Sequence, residues 1–307
     1  MQKIQSFFFK QFQRLQEMPH YQEVMDLPPL QRWGVFAGLF LLTQLLVFGG
    51  LWLFFGEIVV IGFLASILAG LATGVGALPA LYFKDISAKL FSSMLGAAAG
   101  VMLAATAFSL LVPGIDFGNL VWPGKGIWVV AVGMLIGAAF LHFSDKRLPH
   151  LTFDSVADHS SLDKISLFII AITIHNFPEG MAVGVSFGSG DMHNGFVLAI
   201  AIALQNIPEG LAVALPLVGL GYNKWKAVGI ATLTGLVEPV GGFLGVTMVT
   251  LFSEILPIAM GFAAGAMLFV ISEEIIPETH AKGRSRIATF ALMGGFILVM
   301  VLDKFLV

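Results

Sequence analysis

Two stretches decide how the chain folds: Ile165–Phe187, ISLFIIAITIHNFPEGMAVGVSF, and Gly195–Gly219, GFVLAIAIALQNIPEGLAVALPLVG. Each is mostly apolar and longer than the roughly 20 residues a helix needs to cross the hydrocarbon of a bilayer. Each carries the same polar pattern near its middle. His175-Asn176-Phe177-Pro178-Glu179-Gly180 in the first returns as Gln205-Asn206-Ile207-Pro208-Glu209-Gly210 in the second, followed by Met181-Ala182-Val183 and Leu211-Ala212-Val213.

Seven further apolar stretches flank this pair: Trp33–Phe55, Ile58–Phe83, Leu90–Val112, Ile127–Phe143, Ala227–Phe252, Ile255–Ser272 and Ile287–Leu302. Of the 307 residues, 57% are apolar and 11% charged, whereas a soluble domain carries roughly a quarter charged residues. The ten-residue alternation of barrel strands is missing. The expected fold is therefore all-α, a polytopic membrane protein of nine transmembrane helices. It divides into a cytoplasmic N-terminal segment (1–32), an additional N-terminal membrane helix (33–55) and an eight-helix core (57–307). Thirty-five glycines suit helices that pack closely in lipid. Sixteen basic against nineteen acidic residues leave no basic surface for nucleic acid. The lack of cysteine excludes disulfides and thiolate metal sites.

In the first segment Ile4, Phe7, Phe8, Gln11, Phe12 and Leu15 lie near helical spacing with Lys3, Lys10 and Arg14 between them. That pattern suits an interfacial helix and equally a loosely ordered tail. Basic residues set the orientation. With nine alternating spans and a cytoplasmic N-terminus, fourteen lysines and arginines fall on the cytoplasmic side, and only Lys125 and Lys304 on the other. The C-terminus is then external, and the expected location is the cell (inner) membrane.

Two more pairs of spans match at a shared offset of 165 residues. Gly70-Leu71 and Gly76 align with Gly235-Leu236 and Gly241; Gly96, Ala98-Ala99-Gly100 and Met102-Leu103 align with Gly261, Ala263-Ala264-Gly265 and Met267-Leu268. The paired spans run in opposite directions. This predicts inverted repeats, spans 2–4 and 7–9, around the central spans 5 and 6, a construction that places a transport site near the midplane.

Glu179, Glu209 and Glu238 lie well inside apolar spans with no lysine or arginine at their depth. A charge at a helix centre costs roughly 2.5–3.5 kcal/mol on the insertion scale, so protons or bound cations must compensate. Spacing of four puts His175 with Glu179, and Gln205 with Glu209, on one helix face. One imidazole with several carboxylate and amide oxygens suits borderline divalent metals, including zinc and ferrous iron. Asn176 and Asn206, one position on, are available to a neighbouring second site. Pro178, Pro208 and Pro239 withhold N–H groups from the carbonyls of Ile174, Leu204 and Gly235, which frees further oxygens.

At these residues the sequence resembles the ZIP family of divalent metal transporters and is similar to its bacterial members. The resemblance covers approximately Glu57–Val307, with span 1 an additional helix. It implies a binuclear metal centre halfway across the membrane. One site would use His175, Glu179, Gln205 and Glu209, with Ser109 and Met102 nearby; the other would use Asn176, Glu179, Asn206, Glu209 and Glu238, so that Glu179 and Glu209 bridge. Asp116 and Asp303 match acidic positions at the outer mouth, and Glu273 and Glu274 match the inner exit path. Asn206 stands where some relatives have aspartate, which removes a charge from the second site. The loop Ser144–Asp163 offers only His150 and His159 with Asp154, Asp158 and Asp163 for collecting metal.

The expected function is uptake of divalent metal into the cytoplasm, zinc foremost, with cadmium, iron, manganese and cobalt as other substrates. The expected partners are these ions and the lipid bilayer, with a homodimer an open arrangement and no nucleic acid. An intramembrane metalloenzyme is the rival reading. It would need an open metal position and a free general base; His-Glu-x-x-His does not occur, and His175 is the only histidine at site depth. Export is a further alternative, because direction is not written in the ligands.

Overall fold

The computed structural model describes residues 22, 24–83, 86–145, 162–280 and 285–305, all helices and short connections. The expected interfacial helix at Ile4–Leu15 and the loop residues His150, Asp154, Asp158 and His159 lie outside the described residues.

The chain divides into two compact units, Met1–Gly56 and Glu57–Val307. The described helix of the first is α1 (Pro29–Phe55), opened by Pro29 in its first turn and ended at Gly56 with φ 86°. The second unit holds α2 (Glu57–Ala77, continued by a 3-10 turn Leu78–Leu81), α3 (Ala88–Ala105) and α4 (Val112–Val121). It continues with α5 (Gly126–Asp145), α6 (Leu162–Gly188), α7 (Met192–Gly219), α8 (Lys224–Gly235) and α9 (Glu238–Leu251). The last are α10 (Leu256–Val270), α11 (Ile276–His280) and α12 (Ser285–Phe305). Among the described residues, eight helical segments are long and apolar enough to cross a membrane. α6 is not one of these eight; it is 27 residues long.

Polar side chains start the helices where the chain turns. Ser87 accepts from the Leu90 N–H at 3.2 Å, Asp191 from Asn194 N–H at 3.0 Å, and Asn223 from Trp225 N–H at 3.0 Å. These are N-caps, which satisfy amides that the first helical turn leaves unpaired.

Three segments expected as simple spans are more elaborate in the structure. The Ala227–Phe252 stretch is two helices, α8 and α9, separated at Leu236-Val237. Pro239 stands in the first turn of α9, after the break, and cannot donate to the Gly235 carbonyl. The Leu90–Val112 stretch runs on to Val121 and changes to a π-helical turn at Thr106–Leu111. A second π-helical turn, Ile271–Ile275, joins α10 to α11. α6 and α7, by contrast, pass through Pro178 and Pro208 as continuous helices.

In lipid, apolar surface gains little by leaving one apolar neighbour for another, so close backbone packing does the holding. α2, α6, α7, α8 and α9 form the central bundle, α6 against α9 and α7 against α2. α3 packs on α12, and α5 on α10. Glycines set how near the helices come. A side chain on Gly70 would collide with the carbonyl of Gly235, and one on Gly235 with the carbonyl of Gly70. The same exchange of partners recurs where Gly76 meets the backbone of Ile207 and Gly241 that of Phe177. It recurs again where Gly210 meets the carbonyl of Thr73 and Gly180 that of Glu238.

Candidate metal centre

The close packing of α6 and α7 against α9 and α2 brings their polar residues into the interior. His175 is 5% exposed, Glu179 2%, and Asn176, Gln205, Asn206 and Glu238 are fully buried. Glu209 is only half-buried. The carboxylates of Glu179, Glu209 and Glu238 interact electrostatically with one another, and Glu209 also interacts with His175 and Glu274.

Two carboxylate–carboxamide pairs organise the centre. Gln205 Nε2 on α7 donates to Glu179 Oε1 on α6 at 2.6 Å. Asn206 Nδ2 donates to Glu238 Oε1 on α9 at 2.6 Å and to the Ala69 carbonyl on α2 at 2.8 Å. Each pair uses one carboxylate oxygen and leaves the other, together with the amide oxygen. Glu179 Oε2, Gln205 Oε1, Asn206 Oδ1, Glu238 Oε2 and Asn176 Oδ1 are buried without a hydrogen-bond partner among the described residues. Buried acceptors are costly unless something positive meets them. Carboxylate and amide oxygens with an imidazole are the donor types that suit a borderline divalent cation.

Among the described residues no group of three or more histidine, cysteine, aspartate or glutamate side chains stands in metal-holding geometry. The oxygens that gather here come partly from amides, which such a group does not include. His175 Nε2 lies 3.4 Å from Glu274 Oε1, so the site histidine faces the second π-helical turn.

The other expected site residues lie on other elements. Met102 and Ser109 are fully buried on α3 and the first π-helical turn, and Ser109 Oγ has no hydrogen-bond partner among the described residues. Asp116 is exposed on α4, and Asp303 is half-buried, 3.4 Å from Lys304. Glu273 is exposed and lines a cavity of about 320 Å³ with Met134, Leu135, Phe269 and Ser272, whereas its neighbour Glu274 meets His175.

Three contacts escape sequence reasoning. The Ala69 carbonyl is a backbone atom with no sequence signature. His193 Nε2 lies 3.1 Å from the Asp303 carbonyl, which joins the start of α7 to the end of α12. Asn194 Nδ2 donates to the Ser109 carbonyl at 2.8 Å. The signal for this last contact was Pro113: it has no N–H for the carbonyl four residues earlier, which is Ser109.

Several membrane-length helices around a buried, oxygen-rich, charged interior define a multi-pass membrane protein with a candidate cation site. The family model described as ZIP Zinc transporter matches residues 146–303. Zinc transporter ZIPB of Bordetella bronchiseptica is 44% identical over 237 residues, covering 76% of this chain and 77% of the relative. Zinc transporter GufA of Myxococcus xanthus is 42% identical over 251 residues, 79% of this chain and 97% of the relative. Zinc transporter ZIP11 of Xenopus tropicalis is 36% identical over 320 residues, 78% and 95% respectively. The chain belongs to the ZIP zinc transporter family.

Proposed function

We propose that the chain imports divalent metal, zinc foremost, into the cytoplasm through a binuclear centre in the middle of the membrane. The observation that carries this reading is the pairing of Glu179 with Gln205 and of Glu238 with Asn206, which leaves buried oxygens of both partners without hydrogen bonds among the described residues. Zinc as cargo is supported by the relatives, which are named zinc transporters. Cadmium, iron, manganese and cobalt suit the same donors less specifically.

His175, Glu179, Gln205 and Glu209 hold the first ion, with Ser109 and Met102 beside it. Asn176, Asn206 and Glu238 share Glu179 and Glu209 around the second, weaker position. Three carboxylates in a low-dielectric interior repel one another; two divalent ions turn that repulsion into attraction, and protons stand in when the ions leave. Asp116 and Asp303 mark the outer mouth, and Glu273 and Glu274 the inner exit.

α6 is the ninth crossing in this reading. At 1.5 Å per residue its 27 residues extend about 40 Å, more than the hydrocarbon thickness. The inverted repeat is supported by the mutual approach of Gly70 and Gly235, by Gly76 on Ile207 matching Gly241 on Phe177, and by Gly210 on Thr73 matching Gly180 on Glu238. The excess of lysine and arginine on one side supports a cytoplasmic N-terminus in the inner membrane.

Purified protein in proteoliposomes, offered zinc, cadmium, iron, manganese and cobalt under imposed pH gradients, tests the proposal. Saturable zinc flux is expected. Metal-dependent chemistry on a membrane substrate without any flux would overturn it in favour of an enzyme.

A further inference from the structure

Two membrane-length segments, Glu57–Leu81 and Lys224–Leu251, meet where the first ends and the second begins. Lys224 Nζ donates to the Leu81 carbonyl at 2.5 Å, which ties the start of α8 to the 3-10 turn that closes α2. An ammonium has three donors, and this bond takes one. Lys226, two residues on, is exposed. Between the lysines Trp225 is 68% exposed, and Tyr82, next to Leu81, is 80% exposed. Phe83 and Tyr222 add two more exposed rings.

The positive charge here belongs to the lysines and not to the helix terminus. Asn223 Oδ1 already accepts from the Trp225 N–H at 3.0 Å and the Lys226 N–H at 3.3 Å. No acidic residue stands between Glu57 and Asp85, or between Glu209 and Glu238. The stretches that carry this patch therefore bring no counter-ion of their own; Lys84 and Asp85 lie outside the described residues. Tryptophan and tyrosine at the ends of membrane helices sit at headgroup level, and lysines at that level attract anionic lipid.

We propose that the patch formed by Tyr82, Lys224, Trp225 and Lys226 is a binding site for one anionic phospholipid. Its phosphate accepts from the two ammonium groups, and the exposed rings lie beside its glycerol and upper acyl chains. The site is distinct from the metal centre, yet the two are joined by one element. α8 runs 12 residues from this patch to the break at Leu236-Val237, next to Glu238, so the bound headgroup fixes one end of the half-helix that leads to the centre.

The test uses full-length wild type, Lys226→Gln, the double variant Lys224→Gln with Lys226→Gln, and Arg286→Gln as a charge control on α12. Each is delipidated in neutral detergent and offered phosphatidylglycerol or phosphatidylcholine in mixed micelles. Bound lipid per chain is counted by native mass spectrometry, and the melting temperature is recorded alongside. Wild type should retain one phosphatidylglycerol in preference to phosphatidylcholine and melt at a higher temperature with it. Retention should fall by about tenfold or more in the double variant, fall less in Lys226→Gln, and stay at the wild-type level in Arg286→Gln. Lys226→Gln decides the question if the Lys224 change prevents folding, because Lys226 is exposed. Equal retention of the two lipids by wild type would overturn the proposal, and so would an equal loss in Arg286→Gln. An equal rise in melting temperature with inorganic phosphate alone would also overturn it, making the patch a site for soluble anions.

Discussion

The side-chain amide of Asn206 lies between the carboxylate of Glu238, 2.6 Å away, and the Ala69 carbonyl at 2.8 Å, and donates to both. A carbonyl only accepts, so Ala69 fixes which end of the amide is nitrogen. The positive end of a neutral group thus sits against Glu238, where an aspartate would bring a second negative charge.

Asn206→Asp should therefore act in opposite directions with and without metal. Aspartate cannot donate when ionised, so two buried acceptors lose their partner at a cost of about 1–3 kcal/mol. The metal-free variant should melt at lower temperature than wild type. Zinc should raise its melting temperature more than it raises that of wild type, because binding to the folded state stabilises it. Equal melting temperatures and equal zinc shifts, measured by thermal unfolding in detergent, would remove Asn206 from the site.

Glu209→Ala should abolish zinc flux, whereas Asn176→Ala should lower it by about tenfold. Glu209 carries charge and interacts with His175, Glu179, Glu238 and Glu274, while Asn176 is a buried neutral amide. Flux per folded molecule in proteoliposomes checks this, and near-normal flux in both variants would contradict the shared centre.

Gly70→Ala should destabilise the fold by about 1–3 kcal/mol through overpacking, since the added methyl would meet the Gly235 carbonyl. Gly229→Ala is the matched control, with nothing within 4 Å of the position. A lower melting temperature for Gly70→Ala alone is the expected outcome; equal values would mean that α2 and α8 part without cost.

The chain contains no cysteine, so single cysteines report topology directly. Lys125→Cys should react with an impermeant thiol reagent on intact cells, and Tyr222→Cys only after the membrane is opened, both positions being exposed. The reverse pattern would invert the orientation.

Much of this was legible in the residues. The apolar runs marked the helices, and the repeated Asn-x-Pro-Glu-Gly with the residue before it marked side chains that hydrogen-bond across helices, Gln205 with Glu179 and Asn206 with Glu238. What escaped were contacts set by tertiary packing. Nothing in the local sequence says that the Ala69 carbonyl is the second acceptor for Asn206, nor that Glu274 turns to His175 while Glu273 faces a cavity. The helix break at Leu236-Val237 and the π-helical turn at Ser109 were half legible: Pro239 and Pro113 announce a missing hydrogen bond, but not whether the helix parts or widens.

The central claim is that the oxygens of Glu179, Gln205 and Glu209, with the His175 imidazole, hold the transported ion. Anomalous diffraction at the zinc edge, from crystals of the full chain grown with zinc, tests it most directly. A peak about 2.0–2.2 Å from His175 nitrogen and from Glu179 and Glu209 oxygens is predicted, lost in Glu179→Ala. Zinc found only at surface histidines, with no peak between α6 and α7 at saturating metal, would contradict it.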